Sequence, residues 1–100
     1  MEYISVVRGK LKGADQKAAQ KMHDATVEQL SAQTRPLGAT GHNAYLNPKD
    51  GMEFLAIDRW NNLENLQKFL ADAKVAEAFG QLFEGQPNIS VWAASGWASF

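Results

Sequence analysis

The sequence predicts an α+β domain in which two helices cover one face of a four-stranded antiparallel sheet. Three observations predict it. Stretches with apolar residues at every second position alternate with stretches at helical spacing. They follow one another as strand, helix, strand, strand, helix, strand. The chain of 100 residues, 45% hydrophobic and 21% charged, has the composition of a globular protein and the length of one domain, residues 1–100.

Tyr3 to Arg8 reads as a strand with apolar side chains on both faces, the pattern of an inner strand covered on two sides. "KLKGADQ" turns into a helix beginning near Gly13 or Asp15 and running to about Thr34. There "RPLG" stops it, because proline cannot donate to the helix and disfavours helical geometry in the residue before it. Its apolar stripe is thin: Ala18, Met22, Ala25, Thr26 and Leu30, with His23, Val27 and Leu30 as an overlapping line. "GATGHNAYLN" is a second strand, and "PKDG", Pro48 to Gly51, is a turn signal that joins it to the third strand as a hairpin.

"FLAIDRW" puts Phe54, Ala56, Asp58 and Trp60 on one side of an extended chain and Leu55, Ile57 and Arg59 on the other. Asn61 or Asn62 then caps a second helix carrying Leu63, Leu66, Phe69 and Leu70 on one stripe. This helix reaches about Phe83, with room for an interruption at "ADAK", where Asp72 would cap a second segment. "EGQPN" closes it, "ISVWAAS" is the fourth strand, and "GWASF" is an aromatic tail with no periodic pattern. This order is the split βαβ arrangement of ferredoxin-like domains, βαββαβ.

Several functions are disfavoured by composition. A formal net charge of -1 offers no field to attract a polyanion, so nucleic acid is not an expected partner. No apolar run approaches the roughly 20 residues of a membrane span, and "MEYISVVRG" reads as a strand rather than a signal peptide, so no membrane partner is expected and a cytoplasmic location is. The absence of cysteine removes disulfides, thiolate metal sites and a cysteine nucleophile. No metal site is expected either, because no helix presents a histidine pair at i, i+4. "GATGH" is not followed by a helix and lacks the setting of a phosphate loop.

The chemistry-bearing residues are few. His23 and His42 can each act as a general base near neutral pH, and each also fits a histidine at a helix–sheet boundary with a backbone or water partner. Arg59 and Asp58 lie on opposite strand faces and cannot both line one cavity. Arg59 fits either a surface ion pair or an anchor for a carboxylate or phenolate. Trp60, Trp92, Trp97, Tyr45 and Phe54 are many aromatics for a chain this small, suited to core packing or to stacking on a flat ligand. Trp97 and Phe100 in the tail would expose apolar surface unless they pack on the domain or on a partner subunit.

The acidic-then-tryptophan strand end followed by "NNLENLQKFLADAKVAEAF" resembles the signature of the dimeric α+β barrel superfamily, in particular its antibiotic-biosynthesis-monooxygenase-like domains. The matching residues are Trp60, the polar joint Asn61 and Asn62, the pair Phe69 and Leu70, and the turn residues Ala78 and Phe79. The resemblance covers the whole chain in element order and residues 54–83 in pattern. It implies a homodimer whose sheets pack into a barrel, with a cavity between sheet and helices for a small hydrophobic or aromatic ligand. Where several such domains carry a histidine in the second helix, this chain has Gln67, Lys68 and Phe69, so no haem ligand carries over and no cofactor is expected.

If the chain is an enzyme, the resemblance implies a cofactor-independent monooxygenase-like reaction on an aromatic or quinol-like substrate. In that reading Trp60 and Asn62 border the pocket, His23 or His42 handles a proton, Arg59 steadies a developing oxyanion, and Tyr45 and Trp92 bind substrate. The alternative is a non-catalytic binding or stress-associated module that sequesters a hydrophobic metabolite.

Overall fold

The strand with two apolar faces is β1 (Tyr3–Leu11), and it pairs antiparallel with β3 (Asp50–Trp60) on one side and β4 (Phe83–Ala93) on the other. β2 (Ala39–Asn47) pairs with the far side of β3, giving the order β2-β3-β1-β4. The structure is a computed structural model that describes residues 1–100. Its helices are α1 (Gln16–Thr34), α2 (Leu63–Ala71) and α3 (Ala73–Leu82), and they pack on one face of the sheet. The architecture is therefore the expected ferredoxin-like α+β fold with a four-stranded antiparallel sheet.

Local chemistry sets the helix ends. Asp15 accepts from the Ala18 amide at 2.9 Å and Asn62 accepts from the Asn65 amide at 2.9 Å, each satisfying an orphan donor of a first helical turn. The interruption at "ADAK" is real: Asp72 ends α2 and, with its side chain accepting from the Lys74 amide at 2.8 Å, starts α3. A single 3-10 turn, Arg35–Leu37, follows α1 and is closed by Gly38 at φ 115, a left-handed conformation that favours glycine.

Strand boundaries differ from the expectation: β1 runs on through Leu11 instead of ending at Arg8. Asp50 and Gly51 do not form the hairpin turn but begin β3, and the turn residues are Pro48 and Lys49. The Asn47 side chain accepts from the Lys49 amide at 2.8 Å, which closes the loop earlier than the Asp-Gly pair would. Residues 84–88, read from the sequence as a closing loop, lie inside β4. The register of β4 on β1 shifts between Arg8 and Lys10, where Gly85 at φ 70 lets the strand bulge, and Pro87 is tolerated because β4 is an edge.

The core is one-sided. Val7, Leu11, Ala19, Phe54, Ala56, Leu82 and Phe83 are buried together between sheet and helices, with Met52 and Phe79 against them. Trp60 and Leu66 are buried towards the opposite end of β3, and the Trp60 and Phe69 rings meet at 5.4 Å. The other face of the sheet carries Ile4, Val6, Leu55, Ile57, Tyr45 and Trp92, with no helix over it.

At the hairpin end, Lys10 pairs with Asp50 at 3.0 Å, and Arg8 pairs with Glu53, which also accepts from Asn47. Hydrogen bonding from Lys10 holds Asp50 below its ordinary pKa of 3.8, and hydrogen bonding from Arg8 holds Glu53 below 4.5. A carboxyl group whose pKa is depressed by folding stabilises the fold above its unfolded value, and that contribution disappears as pH falls through the folded value. The thermal midpoint is therefore expected to fall as pH drops below about 4. Asp50→Asn with Glu53→Gln is expected to flatten that acid limb in a scan of melting temperature against pH. An unchanged limb would assign the acid sensitivity to other carboxylates.

Candidate functional site

β2 and β3 face α1 across a gap that the apolar side chains do not fill. A cavity of about 600 Å³ opens there, within the range of small-molecule sites. Its apolar walls include Val7, Val27, Phe54, Trp60, Phe69 and Phe79. Arg35 of the 3-10 turn is exposed where the chain leaves α1 and also borders the space.

The polar part of the wall is a connected chain of side chains. His42 on β2 and Asp58 on β3 are directly opposite in the sheet, and His42 Nδ1 lies 2.5 Å from Asp58 Oδ1. Ser5, fully buried and opposite Asp58 on β1, donates to Asp58 Oδ2 at 3.3 Å. From above, α1 brings His23 to the same place, with its Nε2 3.0 Å from His42 Nε2. His23 Nδ1 in turn contacts Asp24 Oδ1 at 2.9 Å. The two imidazoles lie 5.2 Å apart between centroids with an interplanar angle of 28°, and His23 also packs on Phe54 at 5.4 Å.

This arrangement sets the proton positions. An ionised carboxylate can only accept, so Asp58 takes the Nδ1 proton of His42 and Asp24 that of His23. Both Nε2 atoms then point at each other and at the cavity. Imidazoles oriented through Nδ1 by a carboxylate, with Nε2 presented to a cavity, are placed to accept or return a proton.

Of the residues picked out in the sequence, His23, His42 and Trp60 lie on the cavity wall. Asn62 does not, since its side-chain oxygen is engaged as the cap of α2. Arg59, Tyr45 and Trp92 stand on the sheet face away from the helices, so none of them reaches the cavity of this chain. Arg59 instead donates to Asn43 Oδ1 at 2.6 Å, and the Trp92 indole donates to Ser90. An oxyanion in this cavity is therefore out of reach of Arg59, a consequence of strand alternation, which puts Asp58 inside and its neighbour outside.

Sequence reasoning did not pick out Asp24, Ser5 or Arg35 as site residues, and it weighed Asp58 only as the alternative to Arg59 on the cavity side. For Asp58 a signal existed: an acidic residue on the same strand face as Phe54, Ala56 and Trp60 needs a buried partner.

No protein-family model matches the sequence, and no curated sequence matches it. Solved structures do. SnoaB, a cofactor-independent oxygenase from Streptomyces nogalater, superposes with a TM-score of 0.71 at 16% identity, covering 96% of this chain and 95% of that one. Rv0793 from Mycobacterium tuberculosis gives 0.69 at 17% identity over 99% and 100% of the two chains. A putative antibiotic biosynthesis monooxygenase from Bordetella bronchiseptica gives 0.71 at 13% identity over 93% and 96%. These likenesses span essentially the full length of each chain. Residues 1–100 therefore have the α+β fold of the antibiotic-biosynthesis-monooxygenase-like proteins, as the Trp60-Asn61-Asn62 corner implied.

Proposed function

We propose that this chain is a cofactor-independent, monooxygenase-like enzyme that works as a homodimer in the cytoplasm on an aromatic or quinol-like substrate. The observation that carries this reading is the cavity itself: an apolar, aromatic-walled space of about 600 Å³ whose polar wall is a pair of carboxylate-oriented imidazoles. Aromatic walls suit a flat ring, and the imidazoles suit the loss of a proton from a hydroxyl on it. The electrons for the reduction of dioxygen then come from the deprotonated substrate. The fold shared with a cofactor-independent oxygenase supports the same reading.

Pairing is supported by surface. The chain exposes 6988 Å², against about 5,600 Å² expected for a folded monomer of its 11.0 kDa mass. Trp92 is 59% exposed on the uncovered sheet face and Trp97 is 83% exposed in the tail. Burying the former between two sheets would remove an apolar patch that a monomer leaves in water.

One preparation tests both parts. Native mass spectrometry is expected to give twice the chain mass, and Trp92→Glu is expected to shift the population to monomer. With the same protein, dioxygen uptake is expected for hydroxylated polycyclic aromatics and hydroquinones and not for their methyl ethers. Tight retention of such compounds without oxygen uptake would replace the enzyme with a binding module.

A further inference from the structure

The contacts around His23 and His42 impose a proton count. Three hydrogen bonds run along the chain Asp24, His23, His42, Asp58, and the two imidazoles hold four ring nitrogens between them. The outer two bonds take the Nδ1 protons. The inner one, Nε2 to Nε2 at 3.0 Å, needs a third proton, because two bare nitrogens would set lone pair against lone pair. The pair thus carries one donor Nε2–H and one acceptor Nε2, side by side on the cavity wall.

We propose that His23 and His42 act as one acid–base unit, with Asp24 and Asp58 as its positioning residues, and that this unit ionises and holds the acidic hydroxyl of a phenol or enol. The proposal deepens the oxygenase reading and rests on the same cavity. When a hydroxyl enters between the rings, its O–H bond breaks and the proton moves to the acceptor Nε2. The electron pair stays on oxygen, and the oxyanion accepts from both Nε2–H groups. No oxidant or other reactant takes part in this step.

The two imidazolium charges are matched by the Asp24 and Asp58 carboxylates, and the oxyanion adds one net negative charge to the site. Ser5 donates to Asp58 from β1, and Arg35 is the remaining charged group on the cavity lining. One oxygen bridging two such donors at about 2.8 Å requires the nitrogens to stand about 4.6 Å apart. Ligand entry therefore parts the rings, prising α1 from β2 at this point.

A single histidine acting alone would need neither the apposed nitrogens nor a carboxylate on each ring. The unit needs both rings, so removing either one should cost nearly as much as removing both.

The test uses the untagged full chain and two probes, 4-nitrophenol, whose phenolate absorbs visible light, and 4-nitroanisole, the same ring with no proton to lose. At a pH where free nitrophenol is mostly protonated, the phenolate band is expected to grow on addition of protein. His23→Gln and His42→Gln are each expected to weaken phenolate binding about tenfold or more, and the double variant little further. Asp58→Asn is expected to lose a similar factor while nitroanisole binding, followed by displacement of a fluorescent dye, stays unchanged.

A phenolate band that survives His23→Gln and disappears only in His42→Gln would overturn the shared unit and leave one base. Nitroanisole binding without any phenolate band would overturn the proton step while leaving an aromatic-binding cavity. Binding of neither probe would overturn this proposal together with the aromatic substrate class.

Discussion

Trp60→Ala is expected to cost about 3–5 kcal/mol of folding stability, a large part of the roughly 5–15 kcal/mol that holds a domain of this kind together. Trp60 is 2% exposed although it ends a strand, and its ring rests on Phe69 at the corner where β3 passes into α2. Alanine there would leave a void that the Gly38–Asn61 contact keeps from collapsing, since the Asn61 amide donates to the Gly38 carbonyl at 2.9 Å and pins the chain on both sides. Urea unfolding checks this. The midpoint should move far to lower urea for Trp60→Ala, and Trp60→Phe should recover most of the loss. A cost below about 1 kcal/mol would mean that Trp60 is mainly a wall of the cavity and contributes little to the core.

Turnover should respond strongly at His42, as at its partner His23. His42→Gln is expected to lower kcat by about 100- to 10,000-fold on any substrate identified by oxygen uptake, the usual contribution of a positioned general base. His42 is held from two sides, by Asp58 in the neighbouring strand and by His23 in α1, so its ring has one orientation open to it. Glutamine keeps a polar side chain of similar reach and removes the proton acceptor. The expected signature is a fall in kcat larger than the rise in KM, because the oxyanion loses a donor while the aromatic walls that bind the ring remain. A fall confined to KM would make His42 a binding contact with no part in proton transfer.

Much of the fold can be read from residue types in order. Alternation marks the strands, Asp15, Asn62 and Asp72 mark helix starts through their capping oxygens, and "RPLG" marks the end of α1. The central place of β1 follows from its two apolar faces. Segments that depend on a partner strand were harder. Residues 84–88 look like a loop because glycine and proline are poor strand formers, and only the bulge against β1 makes them part of β4. Asn62 and Arg59 have the residue types of a site, yet capping claims the first and strand parity turns the second outward.

The amino-acid order therefore determines the βαββαβ framework and places an acidic residue, Asp58, on the face that the helices cover. It does not say which residue Asp58 meets. Around the tight turn at Pro48 and Lys49, Asn47 pairs with Asp50, and unbroken pairing from there would set His42 against Leu55, on the wrong face. The register shift between Leu46 and Asn47 leaves Gly51, Met52 and Glu53 without partners in β2 and brings His42 opposite Asp58 instead. The shift is held by two long-range contacts, Gln16 donating to the Gly51 carbonyl and Arg8 on Glu53, and by the local contact of Asn47 with Glu53. A register set by contacts 35 and 45 residues distant is a tertiary property. The approach of His23 from α1 is another, because the packing of helix on sheet brings it to His42.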